Sequence, residues 1–349
     1  MSESIQIKGR RIGAQSPCFL IAEVAQAHDG SLGAAHAYID AAADAGVDAV
    51  KFQTHIADAE STLDEPFRIK FSKQDETRYA YWKRMEFTPE QWAGLAAHAH
   101  ERKLIFLSSA FSVAAVDLLK KLGMAAWKVG SGEVGTRDLL DAMLAAGGPI
   151  LLSTGMSTYA EIGEVVTRLR QRGAEMALFQ CTSRYPVSLS EVGLNVIPEL
   201  RRRFKCPAGL SDHSGTVHPA LAAMAQGADM VEAHIVFDKR MFGPDTPASL
   251  TVEEFKQVAQ ARDAIAQMLA HPVDKDRIAE DLAGTRALFG KSVALARNLP
   301  AGTVLAREML TVKKPGTGIP AAELDSLVGR RLKRAAAAQR LLSRDDIDV

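Results

Sequence analysis

The chain of 349 residues predicts a TIM (β/α)8 barrel, an α/β fold, followed by a small, mostly β domain. From residue 17 to about 271, short apolar runs alternate with longer amphipathic stretches, a pattern typical of parallel β/α units. The apolar runs number eight, which favours a closed barrel over an open sheet. Beyond residue 289 the apolar runs are shorter and turn residues separate them, which indicates a second domain.

The predicted strands share a composition of apolar, β-branched and small residues. They cover residues 18–24, 49–53, 104–108, 126–130, 150–154, 176–181, 208–211 and 230–235. Amphipathic helices are predicted between them, among others over 32–45, 89–102, 113–122, 159–172 and 218–226. Several of these helices open with Ser, Thr or Pro, which are favoured at helix N-termini.

Segment 55–88 interrupts the alternation after the second strand. It combines charged residues with aromatic ones, such as Tyr79, Tyr81 and Trp82, and predicts a lid or rim. The mixed-charge residues 272–289 predict a linker helix or arm. The predicted domains are therefore a barrel at 1–271, a linker at 272–289 and a small domain at 290–349.

Composition argues against several functional classes. Lys+Arg and Asp+Glu both number 42, so no net basic field favours nucleic acid or an anionic membrane surface. No run of about 18 apolar residues predicts a membrane helix, and we expect a cytoplasmic protein. Cys18, Cys181 and Cys206 lack metal-ligand or redox spacing, so we expect reduced, buried thiols.

Polar side chains end the predicted strands, and the carboxyl ends of barrel strands surround the active site. Lys51 and Lys128 are notable because a buried ammonium is costly unless an anion meets it. Glu23 or Glu133 could supply that anion internally. Alternatively, the lysines and nearby hydroxyls bind a small ligand that carries a phosphate and a carboxylate. The hydroxyl donors are Ser109, Ser131, Ser153, Ser183 and Ser211.

His213 and His234 follow two neighbouring predicted strands, so their side chains would project from the same end of the sheet. Two imidazoles can hold a divalent ion with most coordination positions open, and such an ion acts as a Lewis acid. The alternative is that each is a hydrogen-bonded structural histidine. Asp212 could either orient His213 or cap the turn that follows the strand.

Several motifs occur in a fixed order, and the series resembles one known family. The motifs are AEVAQAHDG, WKVGSGE, PILLSTGMST, CTSRYP, GLSDHSG, EAHIVFD and GPDTPASLTVEEF. They resemble the sialic acid synthases, that is, the N-acetylneuraminate synthases and their relatives, over nearly the whole chain. The resemblance implies that residues 290–349 form an antifreeze-like (SAF) domain of the β-clip type. It also implies condensation of phosphoenolpyruvate with an open-chain N-acylated amino-sugar, with release of phosphate.

The resemblance implies roles for individual residues. Those that match phosphoenolpyruvate-binding positions are Lys51, Ser109, Lys128, Ser131, Ser153, Ser183 and Ser211. His213 and His234 match catalytic ligands of a divalent ion, Mn2+ or Mg2+, and Glu23 matches a catalytic carboxylate that handles the reacting hydroxyl or water. The positions that match the sugar site are Glu133, Tyr185, Asp245 and Lys314. A domain-swapped homodimer is also implied, in which the small domain of one subunit caps the barrel of its mate.

The chain departs from the family's motifs at several positions. Ala25 and Ala27 stand where Gly and Asn are usual after the first-strand Glu, and Thr246 stands where many relatives have His. Lys314 replaces an Arg that is common in the small domain, and an ammonium cannot reproduce a bidentate guanidinium contact. These departures concern the sugar side of the expected site.

The implied activity is N-acetylneuraminate synthesis with N-acetylmannosamine as acceptor. The alternative is legionaminic or pseudaminic acid synthesis from a diacetamido sugar, and the residues do not separate these acceptors. A heptulosonate- or octulosonate-phosphate synthase would need a cation for the acceptor's phosphate, for which Arg184 is the candidate. A non-catalytic sugar-binding protein of a polysaccharide pathway is a further alternative, which the presence of both lysines and both histidines disfavours.

Overall fold

The structure, a computed structural model, describes residues 4–13 and 16–348. The chain divides into two compact units, Met1–Ala270 and His271–Val349. The first unit is a closed parallel barrel and the second contains a small antiparallel sheet, so the predicted fold class is confirmed. No helix among the described residues has both the length and the apolar character needed to cross a membrane.

The first described element is an antiparallel hairpin of β1 (Ser4–Ile7) and β2 (Arg10–Gly13), which the sequence analysis did not predict. Its turn residues Lys8 and Gly9 have φ values of 49° and 78°, as a two-residue type I′ turn requires. Ile5, Ile7 and Ile12 are buried among side chains from the amino-terminal ends of the barrel strands. The hairpin therefore fills the bottom of the barrel.

The barrel strands follow in chain order and are all parallel. They are β3 (Phe19–Ala25), β4 (Ala49–Thr54), β5 (Ile105–Ala110), β6 (Trp127–Val129), β7 (Ile150–Ser153), β8 (Met176–Cys181), β9 (Ala208–Asp212) and β10 (Met230–Val236). β10 pairs with both β9 and β3, which closes the sheet. A short strand, β11 (Ser249–Thr251), pairs in parallel with the end of β10.

The helices of this unit cover the outside of the barrel and its rim. In chain order they are α1 (Leu32–Ala45), α2 (Ala57–Glu60), α3 (Arg78–Met85), α4 (Pro89–Glu101), α5 (Val113–Lys121), α6 (Arg137–Ala146), α7 (Tyr159–Gln171), α8 (Val196–Phe204), α9 (His218–Ala225) and α10 (Val252–Ala270). Local sequence explains their starts: Ser31 caps α1, and capping boxes at Thr88 and Thr158 open α4 and α7. The apolar faces of α1 and of α4 to α10 pack against the outer faces of the strands.

The segment between β4 and α4 contains α2 and α3, where the sequence predicted a lid or rim. It has its own apolar cluster, in which Ala57, Tyr81, Trp82 and Met85 are buried. Arg84 fastens the segment to the β3–α1 connection, since its Nη1 donates to Asp29 Oδ1 at 2.8 Å. The segment between β4 and α4 is therefore a compact, ordered part of the first unit.

The second unit begins with two short helices, α11 (Lys275–Asp281) and α12 (Ala283–Phe289), where the sequence predicted a linker helix or arm. Strands β12 (Ser292–Leu295) and β13 (Leu310–Lys313) then form an antiparallel pair. Isolated bridges and short 3-10 helices complete a compact unit whose core includes Val293, Leu295 and Leu332. Asp346 is fully buried here and accepts hydrogen bonds from Arg340 and the Ser343 backbone.

Candidate active site

A cavity of about 370 Å³ opens at the carboxyl ends of the barrel strands, a size suited to small ligands. All the predicted site residues of the first unit line it: Glu23, Lys51, Ser109, Lys128, Ser131, Glu133, Ser153, Ser183, Tyr185, Ser211, His213, His234 and Asp245. The barrel brings these residues together because parallel strands present their carboxyl ends at one face. The remaining predicted residue, Lys314, belongs to the second unit, where its Nζ lies 5.3 Å from the centroid of the Phe289 ring.

A buried cluster of four charges occupies the inner end of the cavity. Lys51 Nζ lies 2.6 Å from Glu23 Oε2 and 3.7 Å from Glu232 Oε1, and Lys128 Nζ lies 3.1 Å from Glu232 Oε1. Ser211 Oγ also donates to Glu232 Oε1, at 3.2 Å. Burial opposes the charge on Lys51, but the two carboxylates outweigh it and raise the pKa of Lys51. Both ammonium groups are therefore paired with carboxylates inside the barrel.

The two carboxylates of this cluster differ in acidity. Burial raises the pKa of Glu23, although Lys51 opposes this effect. Burial acts on Glu232 in the same direction, but Lys128 and Lys51 together outweigh it and lower the pKa of Glu232. Glu23 is thus the carboxylate that can take up a proton most readily, while Glu232 stays ionised between the two lysines.

Hydroxyl groups surround the two ammonium groups. Lys51 Nζ donates to Ser109 Oγ at 3.2 Å, and Lys128 Nζ donates to Ser153 Oγ at 2.7 Å. A hydroxyl can donate its own proton onward, so these serines could reach a bound anion while still accepting from the lysines. The arrangement combines two cations with neutral donors, which suits a ligand with more than one anionic group.

The loops after β6, β7 and β8 approach each other closely beside Lys128. Gly155 N donates to Ser131 Oγ at 3.1 Å. A Cβ atom at residue 155 would lie 2.6 Å from Ser183 Oγ and 3.0 Å from Cys181 Sγ, so only glycine fits without displacement. Gly155 therefore allows Ser131 and Ser183 to line the same side of the cavity.

The imidazoles of His213 and His234 are buried side by side, with ring centroids 5.4 Å apart. Burial, with the neighbouring His234, lowers the pKa of His213 to about 3, and burial, with Lys51, lowers the pKa of His234 to about 3. Both rings are therefore neutral. His213 Nδ1 lies 3.3 Å from the Thr182 carbonyl oxygen, which can only accept, so Nδ1 donates and Nε2 keeps its lone pair.

The outer part of the cavity is aromatic and polar. The Tyr185 ring lies 4.1 Å from the His213 ring, and the Arg68 guanidinium lies 4.2 Å from the Tyr185 ring centroid. Arg68 Nη2 also donates to Asp245 Oδ1 at 3.0 Å. Arg68 comes from the segment between α2 and α3, so this segment contributes directly to the cavity wall.

Three side chains that were candidates for the site make contacts other than the predicted ones. Glu133 lines the cavity but accepts a hydrogen bond from Thr136 and pairs with neither lysine. Asp212 accepts from the backbone and hydroxyl of Ser214, so it caps the turn and makes no side-chain contact that would orient His213. The Arg184 side chain is 65% exposed, pairs with Glu191 and is not among the residues that line the cavity.

Glu232 and Arg68 were not among the site residues predicted from the sequence. Glu232 lies two residues before His234 on β10, and alternate residues of a strand face the same side, so the signal was present. Arg68 lies in a segment without periodicity, and nothing in its neighbours indicates a cavity residue. Of the departures from the motif, Ala25 has a φ of 47° at the register shift between β3 and β4, a conformation that glycine adopts more easily.

Known proteins resemble the chain over most of its length. A profile of the NeuB family matches residues 38–274, and a profile of the SAF domain matches residues 290–348. The N,N'-diacetyllegionaminic acid synthase of Campylobacter jejuni is 32% identical over 89% of this chain and 94% of its own. The N-acetylneuraminate-9-phosphate synthase of Homo sapiens is also 32% identical, over 93% of this chain and 91% of its own.

Solved structures agree with these matches. The N-acetylneuraminic acid synthetase of Leptospira borgpetersenii, solved in complex with citrate, superposes with a TM-score of 0.72 at 27% identity. The superposition covers 82% of this chain and 97% of that structure. The barrel and its sequence motifs therefore have relatives that are named as synthases of nine-carbon acidic sugars.

Proposed function

The chain belongs to the NeuB family, and on this basis we propose that it is a nonulosonic acid synthase that condenses phosphoenolpyruvate with an N-acylated amino-sugar. The observation that carries the proposal is the convergence of two buried ammonium groups and two neutral imidazoles in one cavity. Each pair serves one of the two substrates that such a reaction needs. A purely structural cluster gives no reason for two cations to lie beside a cavity lined with hydroxyls.

Lys51 and Lys128 form the phosphoenolpyruvate side of the proposed site. Phosphoenolpyruvate carries a phosphate and a carboxylate, and two separated cations with hydroxyl donors match that distribution of charge. Ser109 and Ser153 already contact the two ammonium groups. A bound anion would bring negative charge towards Glu232 and Glu23, which favours protonation of Glu23, the less acidic carboxylate of the two.

The donor set fits a divalent metal ion, and we propose that His213 and His234 would hold Mn2+ or Mg2+. Both imidazoles are neutral, and the Thr182 carbonyl leaves Nε2 of His213 free to bind a cation. No group of three or more His, Cys, Asp or Glu that could bind a metal occurs among the described residues, so substrate or water would complete the coordination. When bound, such an ion supplies Lewis-acid polarisation of the acceptor's carbonyl group.

In the proposed reaction, the methylene carbon of phosphoenolpyruvate forms a bond to the aldehyde carbon of the sugar. Water adds to the adjacent carbon, and the bond from that carbon to the phosphate oxygen breaks to release phosphate. Glu23 is placed to exchange a proton with the reacting hydroxyl or water, because its carboxylate is buried, lines the cavity and has a raised pKa. Lys51 and Lys128 bind and orient the leaving phosphate and the carboxylate.

The sugar side of the proposed site is formed by Tyr185, Asp245 and Glu133, together with Arg68. These groups offer hydroxyl, carboxylate and guanidinium contacts to an acyl-amino sugar. N-acetylmannosamine is the acceptor we propose, and the diacetamido sugars of legionaminic and pseudaminic acid synthesis are the alternative. The paired state of Arg68 favours an acceptor without a phosphate group, because its guanidinium is already engaged by Asp245.

We also propose that two copies of the chain form a domain-swapped homodimer, with Lys314 of the small domain contributing to the sugar site of its mate. The support is the SAF match at residues 290–348 together with the family's resemblance. A cap over the cavity would exclude bulk water from a reaction that passes through a hydratable carbon centre.

The decisive experiment measures phosphate release from phosphoenolpyruvate by the purified chain with a panel of acceptors. The panel holds N-acetylmannosamine, its 6-phosphate, the diacetamido sugars and arabinose 5-phosphate, each with and without added Mn2+. We expect release only with an N-acyl amino-sugar and a divalent ion present. Release with arabinose 5-phosphate alone would reject the acceptor class, and no release with any acceptor would reject the synthase proposal.

A further inference from the structure

A continuous chain of hydrogen bonds leads from Glu23, in the cavity, to Glu60 in α2. Gln53 Nε2 donates to Glu23 Oε1 at 2.8 Å, and Gln26 Nε2 donates to Gln53 Oε1 at 2.7 Å. The same Gln26 nitrogen lies 2.7 Å from His55 Nε2, and His55 Nδ1 lies 2.5 Å from Glu60 Oε1. These contacts join five side chains, of which three come from β3, β4 and α2 and two come from the loops after β3 and β4.

The hydrogen bonds of this series all follow one consistent direction of donation. The amide nitrogen of Gln26 can only donate, so His55 Nε2 must accept, and the proton of the neutral ring lies on Nδ1. That proton is donated to Glu60, which as a carboxylate can only accept. His55 Nε2 also lies 3.4 Å from Gln53 Oε1, but the Gln26 contact is 0.7 Å shorter and decides the role of the nitrogen.

Aromatic side chains hold the His55 ring in this orientation. The Trp82 ring stacks on it at a centroid distance of 3.8 Å and an angle of 17°, and the Phe111 ring stacks at 4.5 Å and 7°. Because both rings are nearly parallel to the imidazole of His55, Trp82 and Phe111 occupy its two opposite faces. The side chains of His55 and Glu60 are only 4% and 7% exposed, so bulk water does not compete for their hydrogen bond.

The direction of donation matters at Glu23. If the proton of His55 moved to Nε2, it would face the amide protons of Gln26, and that amide would have to turn. The Gln26 oxygen would then face Gln53 Oε1, and Gln53 would have to turn in the same way. Its oxygen would finally face Glu23 Oε1, replacing a hydrogen bond by repulsion between two acceptors.

We propose that His55 is a positioning residue that acts through Gln26 and Gln53 to orient the carboxylate of Glu23. Glu60 selects the tautomer of His55, and Trp82 and Phe111 fix the plane of its ring. His55 is not among the residues that line the cavity, so we expect its effect to be on the rate of the chemical step. The inference rests on the proposed synthase activity for its kinetic consequence, whereas the tautomer of His55 is independent of it.

The kinetic test compares His55→Phe and Gln26→Leu with wild type in the phosphate-release assay. His55→Phe keeps the aromatic stack and removes both ring nitrogens, and Gln26→Leu removes the link to Gln53. We expect kcat to fall about tenfold or more, since small displacements of a reacting group are costly. The KM for phosphoenolpyruvate should stay within about twofold, because Lys51 and Lys128 retain their partners.

Two variants at Glu60 distinguish a positioning role of His55 from a role in packing alone. Glu60→Gln keeps an oxygen that can accept from His55 Nδ1, so we expect it to retain most of kcat, whereas Glu60→Leu should lose as much as His55→Phe. His98→Phe is the matched control, because His98 also pairs with a carboxylate, that of Asp40 at 3.2 Å, but on the outer helices. Unchanged kcat in His55→Phe, or equal losses in both Glu60 variants, would overturn the proposal.

Nitrogen NMR of histidine-labelled protein supplies a readout that needs no activity. The His55 signals are identified by their loss in His55→Phe. We expect an unprotonated Nε2 and a protonated Nδ1 in wild type and in Glu60→Gln, and a mixture of tautomers in Glu60→Leu. A protonated Nε2 in wild type would reject the positioning proposal even if the enzyme is active. An inactive wild type with the expected tautomer would reject the synthase proposal alone.

Discussion

Lys51 and Glu23 form an ion pair inside the barrel, with Nζ and Oε2 2.6 Å apart and both side chains at most 3% exposed. Neither charge has bulk water to replace its partner, so each depends on the other for solvation. The pair therefore links the stability of the barrel to the residues proposed for catalysis, and that link can be measured.

We expect Lys51→Met to lower the free energy of unfolding of the first unit by about 3–5 kcal/mol, because it leaves the Glu23 carboxylate buried without a counter-charge. Adding Glu23→Gln should restore most of this loss, since the pair is then removed as a unit. Urea unfolding followed by the fluorescence of Trp92 and Trp127 measures both variants. Additive losses in the double variant would contradict the coupling. Neither variant should release phosphate.

Removal of divalent ions should abolish phosphate release, and Mn2+ or Mg2+ should restore it, if the two histidines hold a Lewis-acidic ion. The His213→Ala variant should bind at least tenfold less Mn2+ per subunit while keeping its circular dichroism spectrum. Metal content after dialysis measures this directly. A folded His213→Ala protein with wild-type metal content would show that the imidazole is structural.

Arg68→Ala should weaken binding of the sugar acceptor, because Arg68 contacts both Asp245 and Tyr185 at the outer part of the cavity. We expect the KM of the acceptor to rise about tenfold, which corresponds to roughly 1.4 kcal/mol, with the KM of phosphoenolpyruvate unchanged. Arg240→Ala is the control, since Arg240 forms an exposed pair with Asp238. Equal increases in both KM values would assign Arg68 a general structural role.

The second unit should lose stability in acid through Asp346. Burial opposes ionisation of this carboxyl group, but hydrogen bonds from Arg340 and the Ser343 backbone lower its pKa to about 2, against an ordinary value of 3.8. A lowered pKa contributes stability that is complete above the ordinary value and is lost as the pH falls towards 2. Asp346→Asn should therefore destabilise this unit by about 2 kcal/mol at pH 7, and the difference should shrink below about pH 4.

Hydrogen exchange of peptides from residues 292–347 isolates the second unit, because all three Trp residues of the chain lie in the first. Asp325→Asn serves as the control, since the Asp325 side chain is 87% exposed in its pair with Arg307. A constant difference between wild type and Asp346→Asn down to about pH 2 would exclude the ionised carboxylate as its source.

The proposed swapped dimer predicts complementation between two inactive variants. Lys51→Met disables the barrel and Lys314→Ala disables the cap, so a mixed dimer would contain one site with an intact barrel and an intact cap. Random assortment of co-expressed chains should give roughly a quarter of wild-type activity. Monomers on sizing, or no activity in the mixture, would contradict a shared site.

The barrel was predictable because its strands and helices repeat with clear apolar periods, and the observed strand ends fall within one or two residues of those expected. The same regularity brought His213, His234, Lys51 and Lys128 into one cavity, because strand ends in a barrel converge. The hairpin of β1 and β2 was missed although Ile5 and Ile7 alternate before a Lys-Gly turn, since two short strands carry little signal.

Contacts that depend on irregular segments were not predictable. Arg68 reaches Asp245 across 177 positions of sequence, and no period relates the two residues. The bond between Gln26 and His55 likewise joins two loops, and Trp82 and Phe111 hold the His55 ring by stacking on it. Side-chain networks of this kind follow from the assembled fold, so composition and spacing cannot reveal them.

Within the part of the barrel that the structure describes, the hairpin of β1 and β2 fills the bottom and leaves the mouth as the way in. Lys51 and Lys128 lie deep, at 2% and 3% exposure, whereas the Arg68 side chain is 42% exposed. A ligand held by the lysines must enter before one held near Arg68, and a small product left at the lysines must wait until the larger one has gone. Because the hairpin closes the bottom of the barrel, both ligands use the mouth, and the ligand that binds first is the last to be released.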